Sequence, residues 1–316
     1  MNSSSLPLFS PRSIFPVVLF SLLYLALSAI LIGYKTDQLV LVIFFNLLYF
    51  LSGTTRRFIT GFAIFIVYWI IFDYMKAFPN YQFTNVHIED LYHAEKSLFG
   101  FKVNETLLTP NEYWKLNHTS FLDVMTGVFY LCWIPVPLAF AAYLFFKDKI
   151  IFLQFSFTFV LVNLLGFVVY YIYPAAPPWY MQEYGVHFLP HTPGNTAGLA
   201  RFDAYFDITV FKNLYAKSSN VFAAMPSLHS SYPLIVLYYG IKEKMGWMNI
   251  IFTIVMAGIW FAAVYTSHHY ILDVLAGIIC AITGILLFQK LLMHTRWFVK
   301  FMNQYLEKIL GKNEVK

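Results

Sequence analysis

The sequence is poor in charge and in cysteine. Only 12% of its 316 residues are Asp, Glu, Lys or Arg, about half the share of a soluble globular protein, whereas 59% are hydrophobic and 20% aromatic. That scarcity excludes a soluble single domain. Two cysteines, Cys132 and Cys280, are too few for a disulfide framework, and each lies inside an apolar run, so both read as core thiols. Neither charge sign dominates. The 21 Lys and Arg against 16 Asp and Glu leave a formal charge of +5, too weak a bias for a nucleic-acid partner. Internal repeats and low-complexity tracts are absent as well.

What fills the chain is a succession of apolar runs, at about 13–34, 36–53, 57–78, 121–146, 150–173, 228–241, 247–266 and 269–290. The first follows Arg12 and is longer than the apolar stretch of a signal peptide, so it reads as an anchor. The expected fold is all-α: a polytopic transmembrane helical bundle of six to eight spans, eight preferred, with two long outer loops at 79–120 and 174–226. The second and sixth runs are short for a hydrocarbon core of roughly 30 Å. With a cytoplasmic N-terminus, the short inner segments carry 13 of the 21 basic residues, among them Arg56, Arg57, Lys147, Lys149, Lys242 and Lys244. The longer outer segments carry the other eight, as the positive-inside rule requires. Both termini are then cytoplasmic. The chain divides into N-terminal spans and first outer loop (1–120), a catalytic helical core (121–293) and a basic cytoplasmic tail (294–316).

Two histidines sit where a run begins on the outer side. His229 lies in Met225-Pro226-Ser227-Leu228-His229-Ser230, and His269 in Ser267-His268-His269-Tyr270-Ile271-Leu272-Asp273. On a helix, residues four apart share a face, so Asp273 is placed to orient the His269 imidazole. An aspartate inside an apolar run is costly and reads as functional, with His269 as its partner. Pro226-Ser227 has the composition of a helix start, and the two helix N-termini would point positive ends at the outer surface, where an anion binds. Two imidazoles, one carboxylate and such ends suggest phosphoryl transfer, one imidazole attacking phosphorus while the other protonates the departing alkoxide. No metal or other cofactor is required, although His268, His269, Asp273 and His229 are enough ligands for a metal reading. The bland alternative is a set of interfacial histidines with an accidental H-x-x-x-D spacing.

These residues resemble the type 2 phosphatidic acid phosphatase superfamily, whose later motifs pair P-S-x-H with H-x-x-x-D. The likeness is specifically to the fungal inositol phosphorylceramide synthases and their bacterial relatives. It rests on Tyr173-Pro174-Ala175-Ala176-Pro177-Pro178-Trp179-Tyr180, on Pro226–Ser230 and on Ser267–Asp273, with weaker support from Gly198-Leu199-Ala200-Arg201-Phe202-Asp203. It covers roughly 120–290, and His93–Gly100 matches loosely. The resemblance implies His269 as nucleophile, Asp273 as its orienting group and His229 as general acid and base. The hydrolytic members' K-x6-R-P motif is absent, and the arginine six residues ahead of their nucleophile is Ala263 here. A phosphodiester carries one charge and needs less neutralisation than a monoester, so the missing clamps favour a diester.

Expected substrate contacts are Arg201 as the leading basic group, Ser227, Ser230, His268, and Pro178, Trp179 and Tyr180; the last three read alternatively as a rigid turn with an interfacial aromatic anchor. Lys212 and Lys217 are weaker candidates, and His187 and His191 read as polar loop residues. The expected activity moves a phospho-headgroup between membrane lipids through a phosphohistidine, with a phosphatidylinositol-like donor and a ceramide-like acceptor. A lipid phosphate phosphatase is the alternative enzyme. A non-catalytic lipid-binding relative and a transporter fit less well, the latter because the ionisable residues gather at the outer boundary rather than the midplane. The active site then faces the periplasm or a lumen, and a bacterial inner membrane is favoured.

Overall fold

The computed structural model describes residues 7–217 and 220–311. Lys312 and Lys316, two of the inner basic residues, lie outside the described residues. Helices α1 (Pro11–Leu31), α2 (Thr36–Leu51) and α3 (Gly53–Tyr74) come first. The segment after α3 holds α4 (Glu89–Phe99), a hairpin of β1 (Phe101–Val103) and β2 (Thr106–Leu108), and α5 (Pro110–Leu116). Next come α6 (Ser120–Leu131), α7 (Pro135–Lys147) and α8 (Lys149–Ile172). The segment after α8 holds α9 (Pro178–Tyr184), α10 (Ala200–Phe206) and α11 (Val210–Tyr215). The chain closes with α12 (Leu228–Lys242), α13 (Met248–Tyr265), α14 (Ile271–Lys290) and α15 (Arg296–Ile309).

Six stretches among the described residues are long and apolar enough to cross a membrane: Pro11–Leu31, Gly53–Ala77, Ser120–Lys147, Lys149–Ile172, Met248–Tyr265 and Ile271–His294. The protein is an integral membrane protein of all-α class. The two short runs of the sequence become α2, with 16 residues, and α12, with 15. At 1.5 Å per residue each is under about 25 Å long. The single run at 121–146 is two helices, α6 and α7, with a break at Cys132–Ile134 just before Pro135. Both cysteines are free thiols.

The contacts form two compact units. One comprises the residues up to Phe78, Ala142–Phe157 and the residues from Lys290 on; the other comprises Pro79–Ala141 and Thr158–Gln289. Residues 79–120 thus fall in the same compact unit as 121–141 and 158–289. In the first unit, α15 is an amphipathic helix whose Phe298 and Phe301 rings pack on Phe157 and whose Tyr305 hydroxyl donates to the Thr60 carbonyl.

The second unit is assembled where helix backbones approach closely, as expected when lipid supplies no hydrophobic contrast. A Cβ on Gly258 of α13 would stand 2.3 Å from the Phe129 ring of α6, and one on Gly277 of α14 would stand 2.1 Å from the Ser227 carbonyl oxygen. Hydrogen bonds lock the same helices. The Ser231 hydroxyl donates to the Gly277 carbonyl at 2.7 Å, and the Tyr232 hydroxyl donates to Asn163 Oδ1 at 2.6 Å. Because the obstacle at Gly277 is backbone, Gly277→Ala is expected to cost about 1–3 kcal/mol of stability. It should lower the thermal midpoint in detergent and reduce activity with it.

Candidate active site

His229 is the second residue of α12, and its Nδ1 stands 3.1 Å from Nε2 of His269. Its ring lies edge-on to Trp133, with centroids 4.4 Å apart, and tilted against Tyr130 at 5.1 Å. His269 Nδ1 is 3.6 Å from Asp273 Oδ2. That is an electrostatic contact longer than a hydrogen bond, and it leaves His269 Nδ1 and Asp273 Oδ1 buried without hydrogen-bond partners. Catalytic hydrogen bonds are often long until substrate is present. The contact between the two rings joins one nitrogen of each, and which of them donates depends on the tautomers. The three sequence-selected residues are thus brought together, His229 and His269 in direct contact.

The local backbone differs from the helix on which the H-x-x-x-D spacing was read. Helix α14 begins at Ile271, so His269 sits in the turn before it. Ser267 has a left-handed φ of 59°, a strained state for a non-glycine residue, and it swings the chain out of α13. The Ala263 carbonyl then accepts from both His268 N and His269 N, at 3.1 and 3.0 Å. Asp273 reaches back to the Tyr270 N–H at 2.8 Å, which is half of a capping box. Glu95 of α4, fully buried, accepts from Ile271 N and Leu272 N at 2.9 and 3.1 Å. The α14 N-terminus is therefore filled by two carboxylates, and the sequence expectation that it offers a free anion site is corrected. At α12 the Ser227 side chain makes no capping bond either: its Oγ accepts from the Ser230 hydroxyl at 3.0 Å, both residues being fully buried. Ser227 N donates to the Asp273 carbonyl at 2.9 Å, which ties the two catalytic helices together.

The other expected contacts serve the turn from behind. Pro178, Trp179 and Tyr180 are buried beside Ile88, Ala176 and Phe222, so they do not present a surface to a lipid headgroup. Instead Trp179 N donates to the Ser267 carbonyl, and Gln182, a turn further on, donates to Ser267 Oγ. His268 stacks on Tyr215 and Tyr130, and its Nε2 donates to the Thr196 carbonyl at 3.0 Å. Burial drives its pKa down to about 3, so this imidazole stays neutral. Arg201 points elsewhere: its Nε donates to Asp123 Oδ1 at 2.6 Å, with Tyr265 OH bonded to the same oxygen. One guanidinium nitrogen, Nη2, is buried without a partner, and no contact joins Arg201 to the triad among the described residues. His191 meets the Tyr81 hydroxyl and His187 lends only its carbonyl to Tyr180; both side chains are exposed. The Lys212 amide, not its ammonium, bonds Asp203. Ala263, at the hydrolases' arginine position, is wholly buried against Tyr130, Phe202 and Phe211. Among the described residues no group of three or more His, Cys, Asp or Glu is placed to hold a metal ion.

Glu95 and Asn111 are the residues that sequence reasoning missed. Asn111 Nδ2 donates to the Val264 and His269 carbonyls at 2.8 and 2.9 Å. The only available signal was polarity within an otherwise ordinary loop.

Fold and triad together define a membrane-embedded enzyme of the phosphotransferase class. The chain belongs to the PAP2 superfamily, whose family model matches residues 89–287. It is 43% identical over 302 residues to a phosphoinositol dihydroceramide synthase of Bacteroides thetaiotaomicron, covering 95% of this chain and 99% of the relative. It is 28% identical over 248 residues to the inositol phosphorylceramide synthase catalytic subunit of Saccharomyces cerevisiae, covering 74% of this chain and 57% of that one. With the inositol phosphorylceramide synthase of Candida albicans it shares 25% over 259 residues, 78% of this chain and 51% of the relative. The chain thus spans nearly all of the bacterial relative but little more than half of the fungal ones. No solved structure matches it significantly.

His269→Ala and His229→Ala should each lower kcat by at least about 10³, and Asp273→Asn by less, with the thermal midpoint unchanged in each variant. Rates in lipid nanodiscs check this, and near-normal turnover by His269→Ala would remove the nucleophile.

Proposed function

We propose that the protein transfers a phosphoinositol headgroup from a phosphatidylinositol-type donor to a ceramide-class hydroxyl, on the non-cytoplasmic face of the membrane. The observation that carries this reading is the 3.1 Å contact between His229 Nδ1 and His269 Nε2, set at the start of α12 and just before α14. His269 Nε2 attacks the phosphodiester phosphorus, and the bond from phosphorus to the diacylglycerol oxygen breaks. That oxygen leaves with a proton from His229 in its imidazolium form, which becomes neutral, while Asp273 stabilises the cationic His269 imidazole. The resulting phosphohistidine still carries inositol. Neutral His229 then takes the acceptor's hydroxyl proton, and the acceptor oxygen displaces His269 from phosphorus, which restores both histidines.

Transfer and hydrolysis differ only in the acceptor, so the site must favour a lipid hydroxyl over water. The Trp133 and Tyr130 rings around His229 give it an apolar wall. The packed Ala263 leaves no arginine where the hydrolytic members carry one, which suits a singly charged diester. The 43% identical relative is named for the same transfer to dihydroceramide, and that name supports a sphingoid acceptor. The bias of basic residues toward the inner loops supports a cytoplasmic N-terminus and a periplasmic or lumenal site, with a bacterial inner membrane favoured by that relative.

A two-substrate assay tests the proposal. Labelled phosphatidylinositol with ceramide or dihydroceramide, in nanodiscs, should yield an inositol phosphoryl sphingolipid and diacylglycerol, equally with and without EDTA. Phosphate release from phosphatidic acid with no transfer product would make the enzyme a phosphatase.

A further inference from the structure

The turn that carries His269 is gripped by two buried side chains that the bond-making chemistry does not use, and both come from the first outer loop. Glu95 holds the amides of Ile271 and Leu272, and Asn111 holds the carbonyls of Val264 and His269. Each is 0% exposed. We infer that Glu95, assisted by Asn111, is a positioning residue for the transfer reaction, clamping residues 264–272 so that Asp273 stays on His269 and the imidazole stays in line with phosphorus. The inference rests on His269 being the nucleophile.

Glu95 is not placed as an ordinary ion-pair member. The charged and titratable groups around it are Tyr92 and Lys96 on its own helix, Glu112 on α5, and Tyr270 and Asp273 at the start of α14. Lys96 is turned away: its Nζ donates to the Tyr92 hydroxyl at 2.6 Å and lies 3.7 Å from Glu112. A buried carboxylate without a cation is costly, and here only two N–H groups and the positive end of α14 offset the loss of water. The position makes chemical sense through Asp273. As the third residue of α14, Asp273 is itself a natural acceptor for the first amides of its helix. With Ile271 N and Leu272 N already held by Glu95, Asp273 caps Tyr270 N alone, and its carboxylate remains within 3.6 Å of His269 Nδ1. Without Glu95, the same carboxylate would be drawn into its own helix end and away from the imidazole.

Burial pushes the Glu95 carboxyl up to about 7. A raised carboxylate is charged above that value and neutral below it, so both amide bonds are complete above pH 7 and weaken as the pH falls through it.

The test uses the full chain in nanodiscs with labelled donor and acceptor lipids. Glu95→Gln should lower kcat by about a hundredfold, the scale of a misplacement near 1 Å. KM for the donor and the thermal midpoint should hold, and the part of the wild-type acid limb centred near pH 7 should disappear. Asn111→Ser should lower kcat without altering that limb. Glu95→Gln at wild-type rate with an unchanged pH profile would overturn the inference, as would a rate that merely follows the folded fraction. If Glu95→Gln does not fold, Asn111→Ser decides: reduced kcat at an intact thermal midpoint supports the clamp, and full kcat overturns it. Failure of the clamp is distinct from failure of the triad, because in the first case His269→Ala remains inactive and in the second it turns over.

Discussion

The second unit depends on one constraint: the backbone from Ala263 to Asp273 turns sharply in a buried setting, where its polar groups need partners. An unsatisfied amide or carbonyl in such a place costs as much as a lost hydrogen bond or more. Segments remote in sequence converge to meet that need. Gly198 N reaches the Thr266 carbonyl, Trp179 N the Ser267 carbonyl, Asn111 two carbonyls, Glu95 two amides, and Ser227 N the Asp273 carbonyl. The segments 79–120 and 174–226 are both drawn onto this turn for this reason, and the His229 segment comes with them.

The chemistry follows from the same burial. His229 and His269 meet beside Trp133 and Tyr130, and the flanking His268 is kept neutral and used as a donor to Thr196. A site of this kind cannot gather positive charge cheaply, and it does not: the position taken by an arginine in the hydrolytic members is a packed alanine, and Arg201 is tied to Asp123. One basic contact fewer suits one phosphate charge fewer.

The apolar helices and the meeting of His229, His269 and Asp273 were legible because both follow simple patterns: long apolar runs, and histidines at the start of two of them. The break at Cys132–Ile134 was signalled by Pro135 but hidden within a continuous apolar run. Roles that depend on direction were not legible. His269 lies in a turn before the helix on which its spacing with Asp273 was read, Ser227 bonds Ser230 and not the helix start, and Trp179 faces inward. Glu95 lay in the loosely matching His93–Gly100, but its role was not legible because its partners, Ile271 and Leu272, are backbone N–H groups 176 and 177 residues away, which have no sequence signature. Asn111 was invisible for the same reason, across 153 and 158 residues.

The most direct test of the account is to trap the covalent intermediate. The protein would be mixed with donor lipid labelled in its headgroup, without acceptor, then quenched in alkali, which preserves phosphohistidine, and mapped by mass spectrometry. Phosphoinositol on His269, accumulating in His229→Ala only if donor attack survives loss of the acid, and absent in His269→Ala, is the predicted result. Label on another residue, or single-turnover transfer with no protein-bound label at any time, would contradict it.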